Sequence, residues 1–262
     1  MTDIRIGITE RGDGGLDYVT WERNLPSVDG AIIITKNLTH QGFRDAMLRN
    51  KDKLILHATI TGYGQTPYEP FVPSYEENLD AMEELIRSGF PASHIVLRCD
   101  PIIPQTKLLE QTRNMLQQFL QRNLNVNRVR VSVIDNYPHV KERFGQLYLP
   151  ALFNGYFQAG RWDMVHVAKM LDEVFAEHDE IRISSCAEPI LSQAAQENRL
   201  RTIFAEGCVG ETDLRLLNLP VPDNMHMNPQ NRKGCLCLAG KTELLAGSRG
   251  RCPHGCAYCY WK

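Results

Sequence analysis

The sequence has no apolar run approaching the ~18 residues that a helix needs to cross a membrane. Its opening stretch, Met1 to Ile8, lacks the long apolar core of a secretory signal. No membrane partner is expected, and the expected location is cytoplasmic. Charge of one sign is lacking too: 29 Lys and Arg stand against 31 Asp and Glu, for a net charge of −2. That balance gives no whole-chain case for nucleic acid or an anionic lipid surface. There is no internal repeat, no low-complexity segment and no run of basic residues interleaved with aromatics. What is present is ordinary for a globular chain of 262 residues, with 43% hydrophobic and 23% charged residues.

Against that background the eight cysteines stand out. Without an export signal they point to metal or catalysis in a reducing compartment rather than to disulfides. Three of them fall at Cys252-x-x-x-Cys256-x-x-Cys259. Thiolates this close suit an iron–sulfur cluster, whose irons take one thiolate each. A four-iron cluster with three such ligands leaves one iron open, as a catalytic metal requires. The plain alternative is a zinc knuckle with His254 as fourth ligand. Around the motif, from Asn228 onward, six Lys or Arg stand against one acid, Glu243.

Earlier in the chain, short β-branched runs alternate with helical patterns. Strands are expected at 4–8, 31–35, 53–60, 94–98, 128–134, 181–185 and, more weakly, 202–205. Helices are expected from Tyr75 to Ser88, where Ser74 and Glu77 form a capping box, and at 106–122, at 162–177 and from Pro189. Strands alternating with helices of this length imply parallel β/α units. The expected fold is α/β, a full or partial parallel (β/α) barrel over residues 1–220, with a cysteine-rich tail over 221–262 packed on it. Parallel folds place chemistry at strand ends, and polar residues follow nearly every strand. They include Asp13, then Lys36 and Asn37, then Thr61 and Tyr63, then Arg98 and Asp100, then Ser132 and Asp135, then Cys186 and Glu188.

The terminal motif, with Tyr258 before its last cysteine, resembles the cluster signature of the radical S-adenosylmethionine superfamily. Its late position is similar to the DUF1848 family, which itself resembles spore photoproduct lyase-type enzymes. Arg11-Gly-Asp13, Thr35-Lys36-Asn37, Thr61-Gly-Tyr-Gly64, Arg98-Cys-Asp-Pro-Ile102, Ser132 to Tyr137, Asn228 to Arg232 and Gly234-Cys235-Leu-Cys237 carry the resemblance along the chain. It implies a [4Fe-4S] cluster on Cys252, Cys256 and Cys259, S-adenosylmethionine as cofactor, and a 5′-deoxyadenosyl radical for hydrogen abstraction. It also implies a reductant such as flavodoxin or ferredoxin. Lys36, Arg98, Asp100 and Asp135 become candidate catalytic residues. Asp13, Asn37, Thr61, Tyr63, Ser132, Glu188 and Tyr258 become candidate cofactor-binding residues. Cys186, Cys208, Cys235 and Cys237 are candidates for an auxiliary [4Fe-4S] cluster or a structural zinc; the alternative is that they are small buried residues. The substrate implied is nucleotide-related or a small metabolite. Two other classes stay open: an iron–sulfur electron carrier and a zinc-stabilised binding protein.

Overall fold

The computed structural model describes residues 4–186, 188–221, 236–238, 240–246 and 252–261. Strands and helices alternate: β1 (Arg5–Ile8), α1 (Tyr18–Asn24), β2 (Gly30–Thr35), α2 (Gln41–Arg49), β3 (Leu54–Thr59), α3 (Tyr75–Arg87), β4 (Ile95–Ile102), α4 (Thr106–Gln121), β5 (Arg128–Val133), α5 (Pro138–Gln146), α6 (Arg161–Val174), β6 (Arg182–Ser185), α7 (Pro189–Glu197), β7 (Phe204–Ala205), α8 (Glu211–Leu216) and β8 (Gly240–Glu243). Local sequence explains several boundaries. Ser74 and Glu77 close the expected capping box on α3, and Pro189 opens α7 at a position where its missing N–H costs nothing.

All eight strands lie in one sheet in the order β7-β6-β5-β4-β3-β2-β1-β8. Every pairing is parallel. This is an α/β fold compatible with a barrel-like arrangement, because chain order runs round the sheet and brings β8 beside β1. At the seam between the two edge strands, Leu238 N–H donates to Val209 O at 3.0 Å. The approach there is close: a Cβ on Gly207 would stand 2.3 Å from the Cys237 nitrogen, so that position needs glycine. Seven strands were expected; the eighth, β8, comes from the tail segment.

Strand alternation sorts side chains into two layers. One set, including Leu54, Leu56, Leu97, Val129 and Val131, packs against the helices with Trp21, Met47, Leu116 and Phe175. The other, Ile6, Ile8, Ile32, Ile55 and Val96, faces inward and meets Leu214 and Leu217 at α8. Each such Leu, Ile or Val contributes about 1.5–3 kcal/mol when fully buried. The inner layer turns polar towards the strand C-terminal ends, where His57, Thr59, Arg130 and Ser184 are buried. That polar turn marks the end of the sheet where the site is found.

Among the described residues, no helix is long and apolar enough to cross a membrane.

Candidate functional site

A cavity of about 680 Å³ opens at the C-terminal ends of the strands. Its wall joins strand-end residues (Asp13, Lys36, Arg98, Asp100, Ser132, Asp135) to the cysteine loop, with Cys252, Cys256 and Cys259 all facing it. The loop reaches this place through three anchors distant in sequence.

The first anchor is Asp13, in the turn after β1. Its carboxylate accepts from Gly15 N–H (2.8 Å), Lys36 N–H (2.7 Å), the Thr35 hydroxyl (2.6 Å) and His254 Nε2 (2.9 Å). The other His254 nitrogen, Nδ1, lies 3.1 Å from Phe71 O. Both partners are acceptors, so the ring donates from both nitrogens as an imidazolium. Burial would push the ring towards neutrality, but the Asp13 carboxylate outweighs it and holds the His254 pKa above its usual value. Burial likewise raises the Asp13 pKa, and His254 outweighs it to leave the carboxyl below the usual range. Gly255 follows at φ +65°, a left-handed turn that suits glycine.

The second anchor is Glu69, buried to 1% exposure. It accepts from Lys36 Nζ (2.9 Å), from the Thr61 hydroxyl (2.8 Å) and from the Tyr258 hydroxyl. Lys36 also lies 5.2 Å from the centre of the Tyr258 ring. Burial would lower the Lys36 pKa; Glu69 and then Cys256 outweigh it and keep the amine charged. The backbone beside it is pinned too, with Ala257 N–H donating to Tyr68 O at 3.0 Å. The third anchor is Arg143 on α5, whose guanidinium donates to the carbonyls of Cys256 (3.3 Å) and Cys259.

Burial acts on two of the three thiols. Burial pushes Cys252 up to about 11 and Cys256 up to about 12. Lys36 opposes both shifts, and the three sulfurs repel one another as thiolates. Among the described residues, no three His, Cys, Asp or Glu are placed to hold a single metal ion. That geometry does not suit a zinc knuckle, and His254 has both nitrogens committed elsewhere. It does not count against a cluster, whose irons take one thiolate at each of several corners. Three soft donors on one cavity wall, a cation beside them and a rigid backbone fit such a group.

The remaining expected site residues divide. Arg98 and Asp100 form an ion pair on β4 and line the cavity. Ser132 and Asp135 line it after β5. Glu188 accepts from the Ser132 hydroxyl (3.2 Å) and Val133 N–H (3.3 Å); burial, then Asp135, raises its pKa to about 7. Tyr258 is in the wall.

Asn37, Tyr63 and Thr61 stand off the cavity wall. Asn37 accepts from Thr39 N–H and hydroxyl (3.0 and 2.8 Å), a local turn ahead of α2 and away from the cavity wall. Tyr63 is fully buried, with its hydroxyl meeting Ile103 N–H and Thr112, so it is a core residue. Thr61 supports Glu69 instead of facing the cavity. Asp13 and Lys36 face the cavity, but their polar groups are spent on holding the loop. Cys186, Cys208 and Cys237 come together, as described below; Cys235 lies outside the described residues, as do Asn228 to Arg232 and Gly234. Glu69 and Arg143 were not expected as site residues. A buried acid in a loop after a strand carries no local signal, and neither does an arginine on an otherwise ordinary helix.

Deeper in the interior, His57 is fully buried, and neither ring nitrogen has a partner among the described residues. Burial, and next the Arg130 charge, holds its pKa well below 6.5. The folded chain therefore keeps His57 neutral, while the unfolded chain binds a proton below that value. Stability from this source is present above pH 6.5 and is lost as pH falls, by up to about 1.4 kcal/mol per pH unit. Urea titrations at pH 7.5 and 5.5 are expected to show this loss in the wild type and a smaller one in His57→Leu. Equal losses in both would remove His57 as the cause.

No curated protein matches the chain. A family model described as a domain of unknown function (DUF1848) matches residues 18–261, which take in β2 to β8, Glu69, Arg143 and the cysteine loop, while β1 and Asp13 lie ahead of the match. The chain belongs to the DUF1848 family.

Proposed function

We propose that this protein is a radical S-adenosylmethionine enzyme built on a radical-SAM-like barrel, with a [4Fe-4S] cluster on Cys252, Cys256 and Cys259. The observation that carries the reading is the shared cavity: three thiols on one loop face the same space as the charged strand ends. With S-adenosylmethionine bound, such a cluster supplies reductive cleavage of the sulfonium and a 5′-deoxyadenosyl radical that takes hydrogen from a substrate.

The chain's own residues bind, orient and shield. Lys36, charged beside Cys256, offsets thiolate charge, as a buried cation does for a low-dielectric anion. Arg143 and the Asp13–His254 pair hold the loop backbone so that the sulfurs keep their spacing. Arg98 has the charge to receive a carboxylate, while Asp100 and Asp135 have the charge to receive an ammonium. Ser132 offers a hydroxyl at the same wall. Tyr258 and Trp261 also line the space. Electrons come from a one-electron donor of the flavodoxin or ferredoxin kind. In this reading the cysteine-rich tail is the cover of the site.

The test is anaerobic reconstitution of the full chain with iron and sulfide, then dithionite and S-adenosylmethionine. The expected result is a brown protein that releases 5′-deoxyadenosine. A colourless protein holding only zinc would leave the zinc-stabilised binding protein. A brown protein that leaves S-adenosylmethionine intact would leave the electron carrier.

A further inference from the structure

Three cysteines outside the terminal loop meet inside the sheet. Cys186 follows β6, Cys208 follows β7, and Cys237 precedes β8. The Sγ atoms of Cys186 and Cys208 are 3.5 Å apart, and Cys237 hydrogen-bonds to Cys208. None of the three is in a disulfide, and Cys186 and Cys208 line the cavity.

The fold imposes this meeting. Cys186 continues the inward alternation that places Ser184 in the polar interior. Cys208 and Cys237 sit at the seam where Leu238 reaches Val209. Cys186 is half-buried and Cys208 and Cys237 are buried, so one sulfur of the close pair has the freer access to the cavity.

Thiols gathered in this way serve either a metal or an electron pair. A single metal ion needs three or four donors converging on one point, and among the described residues no three such donors do so; a cluster, whose irons take one thiolate each, is tested by the iron content below. An electron pair needs two sulfurs in contact, a positive setting that favours the thiolate, and a route for the reagent. All three are present. The 3.5 Å contact with Cys186, and next the hydrogen bond with Cys237, hold the Cys208 thiol well below its usual range against burial, with Arg98 and Arg130 adding to this, while Cys186 is pushed up by Cys208 and then by burial. The cavity supplies the route.

We propose that Cys186 and Cys208 form a redox-active dithiol on the cavity wall that exchanges two electrons with a small-molecule disulfide. One of the pair, as thiolate, attacks a sulfur of the small disulfide, breaks its S–S bond and expels one thiolate. The second thiol then attacks the mixed disulfide, forms the Cys186–Cys208 bond and releases the other half, which takes its proton. The chain loses two electrons and the small disulfide gains them, so the step needs no other oxidant and runs in reverse with excess small thiol.

The experiment equilibrates the folded full-length protein anaerobically in mixtures of oxidised and reduced glutathione, then quenches with acid, alkylates and maps peptides by mass spectrometry. The expected result is a Cys186–Cys208 cross-linked peptide that exceeds half of the total at the oxidising end and disappears at the reducing end. Cys99, buried on β4, is expected to stay unlinked throughout. Iron and zinc contents of Cys186→Ser and Cys208→Ser are expected to equal those of the wild type. Absence of the cross-link at the most oxidising ratio overturns the proposal. So does loss of a metal equivalent in either variant, which would make the cysteines ligands. If a variant fails to fold, the wild-type titration decides alone. Neither readout depends on S-adenosylmethionine cleavage, so this proposal and the proposed function fail separately.

Discussion

Replacing Cys252, Cys256 and Cys259 together with alanine is expected to remove iron from the reconstituted protein and abolish 5′-deoxyadenosine formation while the barrel stays folded. The loop is not held by its sulfurs. His254 reaches Asp13 and Phe71, Tyr258 reaches Glu69, and Arg143 takes the carbonyls of Cys256 and Cys259. None of these contacts uses a cysteine side chain. Two of the three cysteines are half-exposed, so each substitution should cost near the ordinary average of about 1 kcal/mol. Circular dichroism and a thermal melt check the fold, iron analysis checks the cluster, and chromatography checks the nucleoside. Retained iron with full activity would show that the motif is not the ligand set. A collapsed melt would show that the sulfurs are part of the core.

Glu69→Ala is expected to be the most damaging single change at the site. It strips the partner from the Lys36 amine, whose side chain is 17% exposed against 2% for Glu69. Removing one member of a buried pair costs about 3–5 kcal/mol, because the other charge stays uncompensated. The hydroxyls of Thr61 and Tyr258 lose their acceptor in the same step, so the cysteine loop loosens as the stability falls. Urea denaturation should register the loss, and iron retention after gel filtration should fall with it. The double change Lys36→Met with Glu69→Leu should recover most of the stability, since no charge is left unpaired, but not the iron. A Glu69→Ala midpoint close to that of the wild type would mean that Lys36 finds another partner.

Much of the architecture was legible in the chain. Buried β-branched runs marked β1 to β6 within a few residues, because a parallel strand covered on both sides is mostly apolar; β7, both of whose residues are exposed, was marked more weakly. The capping box on α3 was legible because its reciprocal hydrogen bonds are contained within four residues. β8 was not, since Gly240-Lys-Thr-Glu243 has no apolar run; it is a strand because β1 offers it a free edge. At the site, strand-end position located the right neighbourhood but not the direction of each side chain. Tyr63 and Thr61 lie just past β3, yet they turn to Thr112 on α4 and to Glu69. The expected roles of Asp13 in binding the cofactor and of Lys36 in catalysis did not include holding the loop, because a carboxylate that accepts from both a strand end and His254 is visible only once 241 residues of separation have closed.

Those separations also order events in time. Asp13 meets His254 across 241 residues, Glu69 meets Tyr258 across 189, and Arg143 meets the carbonyls of Cys256 and Cys259 across 113 and 116. Closing each loop costs entropy that only the assembled β1 to β5 frame can return. The cysteine loop is therefore expected to be among the last segments to gain protection from hydrogen exchange during refolding. Until then its sulfurs have no fixed spacing to offer. On the proposed reading the chain carries its own proofreading step: a misassembled sheet presents no coherent ligand set, and iron would be committed only to molecules that have already folded.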